Sequence, residues 1–159
     1  MDADSDKQAG SGQSDALASC DFLPEKLLLK LKVTLMADKS AIDPVVQGVM
    51  SVVRQTQCAP GKEDAIELAL AEALANAVVH GCNCDTTKIV ECVVACDEKR
   101  GMLIVVRDPG PGFDAASLPN PVGGENIYSN HGRGIFLINE LMDEVKFVNN
   151  GTEIHMVKH

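Results

Sequence analysis

Three polar side chains interrupt a helix pattern that is otherwise apolar nearly all round. Glu72, Asn76 and His80 recur every four residues within the Ala- and Leu-rich stretch 68–80, so they fall along one helix face. In a cavity, Glu72 can orient or deprotonate an attacking hydroxyl, and the Asn76 amide oxygen can bind Mg²⁺, which takes oxygen ligands. The alternative is a narrow solvent-facing stripe. His80, directly before Gly81, is more typical of a structural helix cap.

A β-branched run ends in an aspartate and a glycine-rich turn. Asp108 stands two residues before Gly110 and four before Gly112, and glycine lets the backbone approach a ligand closely. Beside an adenine, Asp108 can accept a hydrogen bond from the exocyclic amino group, which guanine does not present at that position. Asp, Pro and Gly are also ordinary turn residues, so a simple tight turn is the alternative interpretation.

A second glycine pair opens a helix. Gly132, Arg133 and Gly134 come directly before an apolar helical pattern that begins at Ile135. The free N–H groups and positive dipole end of a helix N-terminus bind phosphate, and Arg133 can add a charge-assisted contact. A flexible hinge is the alternative for this segment alone. The three motifs together favour a nucleotide site.

Taken in order, the motifs resemble those of the ATPase superfamily that includes DNA gyrase B, the 90-kilodalton heat-shock chaperone, histidine kinases and the MutL-type mismatch-repair protein. The matching boxes are the N box at Glu72 and Asn76, the first glycine box at Asp108, Gly110 and Gly112, the second at Gly132 and Gly134, and the last at Gly151 and Thr152. Within this superfamily, the chain looks most like the bacterial anti-sigma-factor serine kinases, through residues 72–81 and 134–145.

The resemblance implies a role for each matching residue. Glu72 would be the catalytic base or the group that orients the hydroxyl, and Asn76 would bind Mg²⁺. The remaining residues would bind ATP: Asp108 at the adenine, Gly110 and Gly112 around the pocket, Gly132 and Gly134 at the phosphates, and Thr152 near the adenine end.

The implied activity is that of an ATP-binding anti-sigma factor and protein serine kinase. Such kinases bind a sigma factor and phosphorylate a serine of an anti-anti-sigma antagonist of the STAS type, usually as homodimers. Some relatives carry Arg two residues before the second glycine box, where this chain has Asn130. Two alternatives therefore stay open: a nucleotide-dependent anti-sigma switch without kinase activity, and an ATPase subunit of another bacterial signalling complex.

Hydrophobic patterns predict the elements that position these residues. Alternating Leu and Val over 27–35 predict a strand with one buried face. A helix is expected from Ser40, which has capping-box spacing to Asp43, to about Gln57. The other predicted elements are a helix at 62–79, a hairpin at 88–96 and 102–106, a lid at 109–131, a helix at 135–142, and a hairpin at 145–148 and 152–157.

This order predicts an α+β fold, a two-layer α/β sandwich whose mixed, mostly antiparallel sheet is covered by helices on one face. The resemblance identifies it as a Bergerat-type ATP-binding fold. A chain of 159 residues, 45% apolar, is long enough for one core. Residues 1–22, rich in Asp, Gly and Ser, predict a disordered acidic tail before one ATPase domain at 23–159.

Composition also limits the partners and the compartment. The net charge of −9 argues against general binding to nucleic acid or membrane surfaces. Without a long apolar stretch, and without signal-peptide features in residues 1–18, the chain is expected to be cytoplasmic with six reduced cysteines. The spacing of Cys82, Cys84, Cys92 and Cys96 suits zinc, but small buried hydrophobic side chains are the favoured interpretation.

Overall fold

A five-stranded sheet with helices on one face forms the body of the protein. In this computed structural model, the described residues are 16–112 and 130–159, without the side chains of Asn130 and His131. The strands are β1 (Leu27–Met36), β2 (Ile89–Asp97), β3 (Gly101–Arg107), β4 (Glu144–Val148) and β5 (Glu153–Lys158). Their order in the sheet is β1-β2-β3-β5-β4, and each neighbouring pair is antiparallel. The predicted α+β fold is confirmed, with antiparallel pairing between all the described strands rather than a mixed sheet.

Three helices cover the inner face of this sheet. They are α1 (Ile42–Thr56), α2 (Glu63–Ala75) and α3 (Asn130–Leu141), and α2 lies between the other two and packs against both. Beyond Ala75 the chain continues as a π-helical turn, Asn76–Gly81. None of the described helices is long and apolar enough to cross a membrane. The predicted helices and hairpins are confirmed, with shifts of a few residues at most of their ends. The start of α3 is an exception, because the helix begins at Asn130, so that Gly132 and Gly134 lie inside it and not in a segment before it.

The start of α1 differs from the predicted capping box. The Ser40 backbone N–H donates to Asp38 Oδ1 over 2.9 Å, and the 3₁₀ turn Lys39–Ala41 follows Asp38 directly. Asp38 has the extended backbone that an N-cap residue adopts, whereas Ser40 already belongs to the turn. The prediction that Ser40 and Asp43 form the cap was therefore wrong.

The main core lies between the inner face of the sheet and the helices. In β1, Leu29, Leu31 and Val33 pack against this core, as their alternation predicts. An irregularity in the pairing with β2 leaves Leu28 60% exposed and turns Leu27 to the outer face. The expectation that Leu27 shares the inner face was wrong, because one extra residue in a strand reverses the alternation beyond it.

A smaller apolar cluster covers the outer face of the sheet. Residues 16–19 form a helical turn, and Leu17 and Phe22 are buried there. Their neighbours on the sheet are Val93, Ala95, Leu103, Val105 and Val157. Residues 16–22, which the sequence analysis assigned to the tail, thus pack on the domain because they bring apolar area to an apolar strand surface. Residues 1–15 lie outside the described residues.

Candidate functional site

A cavity of about 240 Å³ opens between the end of α2 and the ends of three strands. Its walls are mostly apolar, and its polar groups come from Asn76, His80, Asp108 and Thr152. The remaining lining residues are Ala73, Ala77, Gly81, Val106, Gly112, Phe147, Gly151 and Ile154. An apolar slot with a few polar groups on its rim is typical of a small-molecule site.

The π-helical turn shapes the α2 side of the cavity. The Asn76 N–H donates to both the Glu72 and Ala73 carbonyl oxygens, and the turn ends with the Cys82 N–H donating to the Ala77 carbonyl oxygen over 2.9 Å. Such widened turns are frequent at functional sites. Here the turn brings His80 and Gly81 to the rim of the cavity, whereas the sequence analysis favoured a helix cap for His80. Burial lowers the pKa of His80 below its ordinary value, which favours the neutral imidazole.

The first turns of α3 pack directly on the polar face of α2. A Cβ placed on Gly134 would lie 3.0 Å from Glu72 Oε2 and 3.2 Å from Asn76 Oδ1. Gly132 and Gly134 are buried, Glu72 and Asn76 are half-buried, and Arg133 is exposed. The structure thus brings the N box and the second glycine box together, as the sequence analysis required of a common site.

Asp108 forms the opposite end of the cavity. Its carboxylate is held by the backbone, because the Gly110 N–H donates to Asp108 Oδ1 over 2.8 Å. A Cβ on Gly81 would collide with this carboxylate, so glycine at 81 provides the room that Asp108 occupies. Burial raises the pKa of Asp108 above its ordinary value, and the Gly110 N–H and the charge of Lys88 oppose that rise. This carboxylate is therefore a partly desolvated hydrogen-bond acceptor.

The hairpin between β4 and β5 closes the far side of the cavity. Asn149 and Asn150 adopt left-handed backbone conformations before Gly151, as the predicted Asn-Gly turn requires. A Cβ on Gly112 would collide with the Asn150 carbonyl oxygen, so the first glycine box packs tightly on this hairpin. The Thr152 hydroxyl donates to the Asn149 carbonyl oxygen over 2.7 Å, which leaves its oxygen free to accept a hydrogen bond from a ligand.

The predicted residues divide into two neighbouring groups. Asn76, Asp108, Gly112 and Thr152 line the cavity, with Gly110 bonded to Asp108. The second group is Glu72, Asn76 and the α3 glycine motif, so Asn76 belongs to both groups. The predicted lid lies mainly outside the described residues, as does the Asn130 side chain.

Sequence reasoning missed the apolar walls of the cavity. Ala73 lies in α2, three residues before Asn76, Ala77 follows Asn76 in the π-helical turn, and Phe147 comes from β4. Small residues beside Asn76 are a signal that was available, because they leave space next to its side chain. Phe147 carried no such signal, since β4 reaches the cavity only through the sheet order.

All six cysteines are free thiols. Cys82, Cys92 and Cys96 are buried, whereas Cys84 is exposed, and burial raises the pKa values of Cys92 and Cys96 to about 12. Within residues 16–112 and 130–159, no group of three or more His, Cys, Asp or Glu side chains is arranged to hold a metal ion.

Two sequence comparisons relate this chain to known proteins. Residues 35–158 match the family of the histidine kinase-like ATPase domain. The serine-protein kinase RsbW of Staphylococcus epidermidis is 33% identical over 102 residues, which cover 58% of this chain and 63% of the relative. RsbW proteins of two further strains of that species give the same values. The chain therefore spans less than two thirds of the length of these relatives.

The chain belongs to the histidine kinase-like ATPase domain family, because the match extends over most of its length. The resemblance to anti-sigma serine kinases within the wider superfamily is confirmed at the level of the family. The class of protein is thus a histidine kinase-like ATPase domain.

Proposed function

We propose that the chain is an ATP-binding anti-sigma factor and protein serine kinase. In this proposal it sequesters a sigma factor and phosphorylates a serine of a STAS-type anti-anti-sigma antagonist. The observation that carries the proposal is the convergence of Glu72 and Asn76 on Gly134, beside a cavity that ends at Asp108. The similarity to the serine-protein kinase RsbW supports the choice of serine as the acceptor.

The cavity is suited to the adenine end of the nucleotide. Val106, Phe147 and Ile154 provide apolar walls for a flat base. The Asp108 carboxylate accepts a hydrogen bond from the adenine amino group, and Thr152 lies beside it. Because partial desolvation strengthens a charged hydrogen bond, Asp108 discriminates against a base that offers no donor there.

Glu72, Asn76 and the α3 N-terminus are suited to the phosphate end. The first turn of α3, which contains Gly132 and Arg133, directs the positive end of the helix dipole towards a phosphate bound at this end of the site. The amide oxygen of Asn76 is an oxygen donor of the kind that Mg²⁺ takes beside phosphate oxygens and water, so this side chain fits the ion, and Glu72 lies beside it as the base. Bound Mg²⁺ would neutralise charge on the phosphates.

In phosphotransfer, Glu72 orients the serine hydroxyl and accepts its proton. The serine oxygen forms a bond to the terminal phosphorus, the bond from that phosphorus to the bridging oxygen breaks, and ADP leaves with the electron pair. The proposal includes a cytoplasmic location and action as a homodimer, in line with the kinases that the sequence resembles.

A labelling experiment tests this function. The full chain is incubated with radiolabelled ATP, Mg²⁺ and a candidate antagonist, and we expect label on one serine of the antagonist. Glu72→Gln should abolish labelling while ATP still binds, because it removes the base and preserves shape. Glu67→Gln is the matched control on the same helix, since Glu67 pairs with Arg54 at the surface, and it should label normally. Equal labelling by both variants would exclude Glu72 as the base.

A second candidate function is a nucleotide-dependent anti-sigma switch without kinase activity. Asn130 favours this switch, because some relatives carry Arg at the corresponding position and this chain does not. Sigma-factor binding that depends on ATP or ADP, with no label on any antagonist, would select the switch. Phosphate release without any effect on sigma-factor binding would instead select an ATPase subunit of another complex.

A further inference from the structure

An ion pair between half-buried Arg107 and buried Glu153 lies on the outer face of the sheet, behind the adenine end of the cavity. Arg107 and Glu153 are cross-strand partners at the ends of β3 and β5. The Arg107 Nε–H donates to Glu153 Oε1, and His155 Nε2 lies 2.9 Å from Glu153 Oε2. A carboxylate only accepts, so His155 Nε2 carries the proton. The side chains of Glu153 and His155 are 6% and 5% exposed.

This network lies next to the two predicted adenine-binding residues along the chain. Arg107 precedes Asp108, and Glu153 follows Thr152. Asp108 follows the end of β3 and Thr152 precedes the start of β5, and both line the cavity. Arg107 and Glu153 pair on the outer face, where all four residues also border a second pocket of about 480 Å³. The Asp108 N–H donates to the Thr152 carbonyl oxygen over 2.9 Å. That backbone hydrogen bond joins the end of β3 to the start of β5 immediately beyond the ion pair.

The contribution of this ion pair to folding stability does not by itself account for its presence. Its neighbours on the outer face of the same strands, Val105 and Val157, belong to an apolar cluster, and apolar packing is often at least as stabilising as a buried ion pair. The Glu153 carboxylate instead fixes the positions of two side chains, because one oxygen binds Arg107 and the other binds His155. The Arg107 to Glu153 bond ties β3 to β5 next to Asp108 and Thr152.

We propose that Arg107 and Glu153, with His155 orienting the carboxylate, are positioning residues that hold Asp108 and Thr152 at the spacing the adenine requires. This inference rests on the proposed nucleotide site, and it adds that the outer-face network helps to determine which base the site binds. None of the three side chains touches the nucleotide in this arrangement. They act through the backbone at the ends of β3 and β5.

The Glu153→Gln variant tests the inference, because it preserves side-chain shape and removes the charge that binds Arg107. A displaced Asp108 loses its charged hydrogen bond to the adenine, which corresponds to about a tenfold loss in affinity. We expect the dissociation constants of ATP, ADP and adenosine to rise by this same factor, since the change acts at the base and not at the phosphates. Isothermal calorimetry of the full chain provides the three constants.

Asp97→Asn is the matched control for general destabilisation. Asp97 is a buried carboxylate at the opposite end of the sheet, where it accepts the backbone N–H groups of Lys99 and Arg100. We expect this variant to lose stability in urea without a change in the three dissociation constants. Equal loss of affinity in both variants would overturn the positioning role, as would a loss confined to ATP.

Hydrogen exchange without nucleotide separates this inference from the proposed function. The Asp108 amide should exchange faster in Glu153→Gln than in the wild-type chain, because its bond to Thr152 is loosened. Unchanged exchange together with unchanged adenosine affinity would overturn the inference. If the wild-type chain binds no adenine nucleotide, the proposed function fails, and the role of Arg107 and Glu153 in base recognition fails with it. Hydrogen exchange would then still report whether the ion pair holds the ends of β3 and β5 together.

Discussion

Gly134→Ala offers a steric test of the phosphate end of the site. The added Cβ would lie 3.0 Å from Glu72 Oε2 and 3.2 Å from Asn76 Oδ1, closer than ordinary van der Waals contact, so these side chains must move by a few tenths of an ångström. Catalytic groups require positioning to within about 0.5 Å, and a 1 Å error costs about 10²-fold in rate. We therefore expect serine labelling to fall about tenfold.

The stability of this variant should change little. Alanine is better than glycine inside a helix by about 1 kcal/mol, and crowding against Glu72 and Asn76 offsets part of that gain. Gly48→Ala is the control, because Gly48 lies in α1 with nothing within 4 Å of its Cβ position. It should be stabilised by about 0.5–1 kcal/mol and label normally.

The assay pairs urea unfolding with the rate of antagonist labelling for both variants. Three results would refute the reasoning about close contact. They are wild-type labelling by Gly134→Ala, a stability gain equal to that of Gly48→Ala, and a loss of labelling in Gly48→Ala.

Substitutions and changes of pH test the adenine end of the site and the ion-pair network on the outer face. Asp108→Asn should weaken ATP binding about tenfold, and unchanged affinity in calorimetry would remove Asp108 from the adenine site. Because the pKa of Asp108 is raised, wild-type affinity should begin to fall at a higher pH than for an ordinary aspartate. Burial lowers the pKa of His155 from 6.5 to about 4, so the stability that the neutral imidazole contributes is fully present above pH 6.5 and is lost progressively as the pH falls towards 4. The groups around His155 are Glu153, Lys146, Arg107 and Cys20. In urea unfolding, His155→Gln should lose this part of the pH dependence, and an unchanged slope would contradict it.

Much of the fold could be predicted because its elements have strong local patterns. Alternation over 29–35 and the helical intervals of α1 each require one buried face, and Asn150-Gly151 supplies the turn of the last hairpin. The motifs of the site could also be predicted, because a polar residue inside an apolar helix and a closely spaced glycine pair are local features, although both glycines of the second pair lie inside α3.

Errors arose where a distant contact or one extra residue changed the outcome. Leu27 faces outward because of the irregularity beside Leu28, which the alternation by itself does not reveal. Alternation over 153–157 would likewise place Glu153 and His155 towards solvent. They are buried, and residues 16–22 pack on this part of the outer face.

The sequence by itself determined the chemical groups and the periodic elements that carry them, since these depend on neighbours along the chain. Only the tertiary structure decided that Gly134 packs against Glu72 and Asn76, and that Asp108 and Thr152 share one end of a cavity. Those contacts depend on the order of strands in the sheet and on the packing of α3 against α2. The free energy of that packing comes from surfaces far apart in the sequence, and no local pattern encodes it.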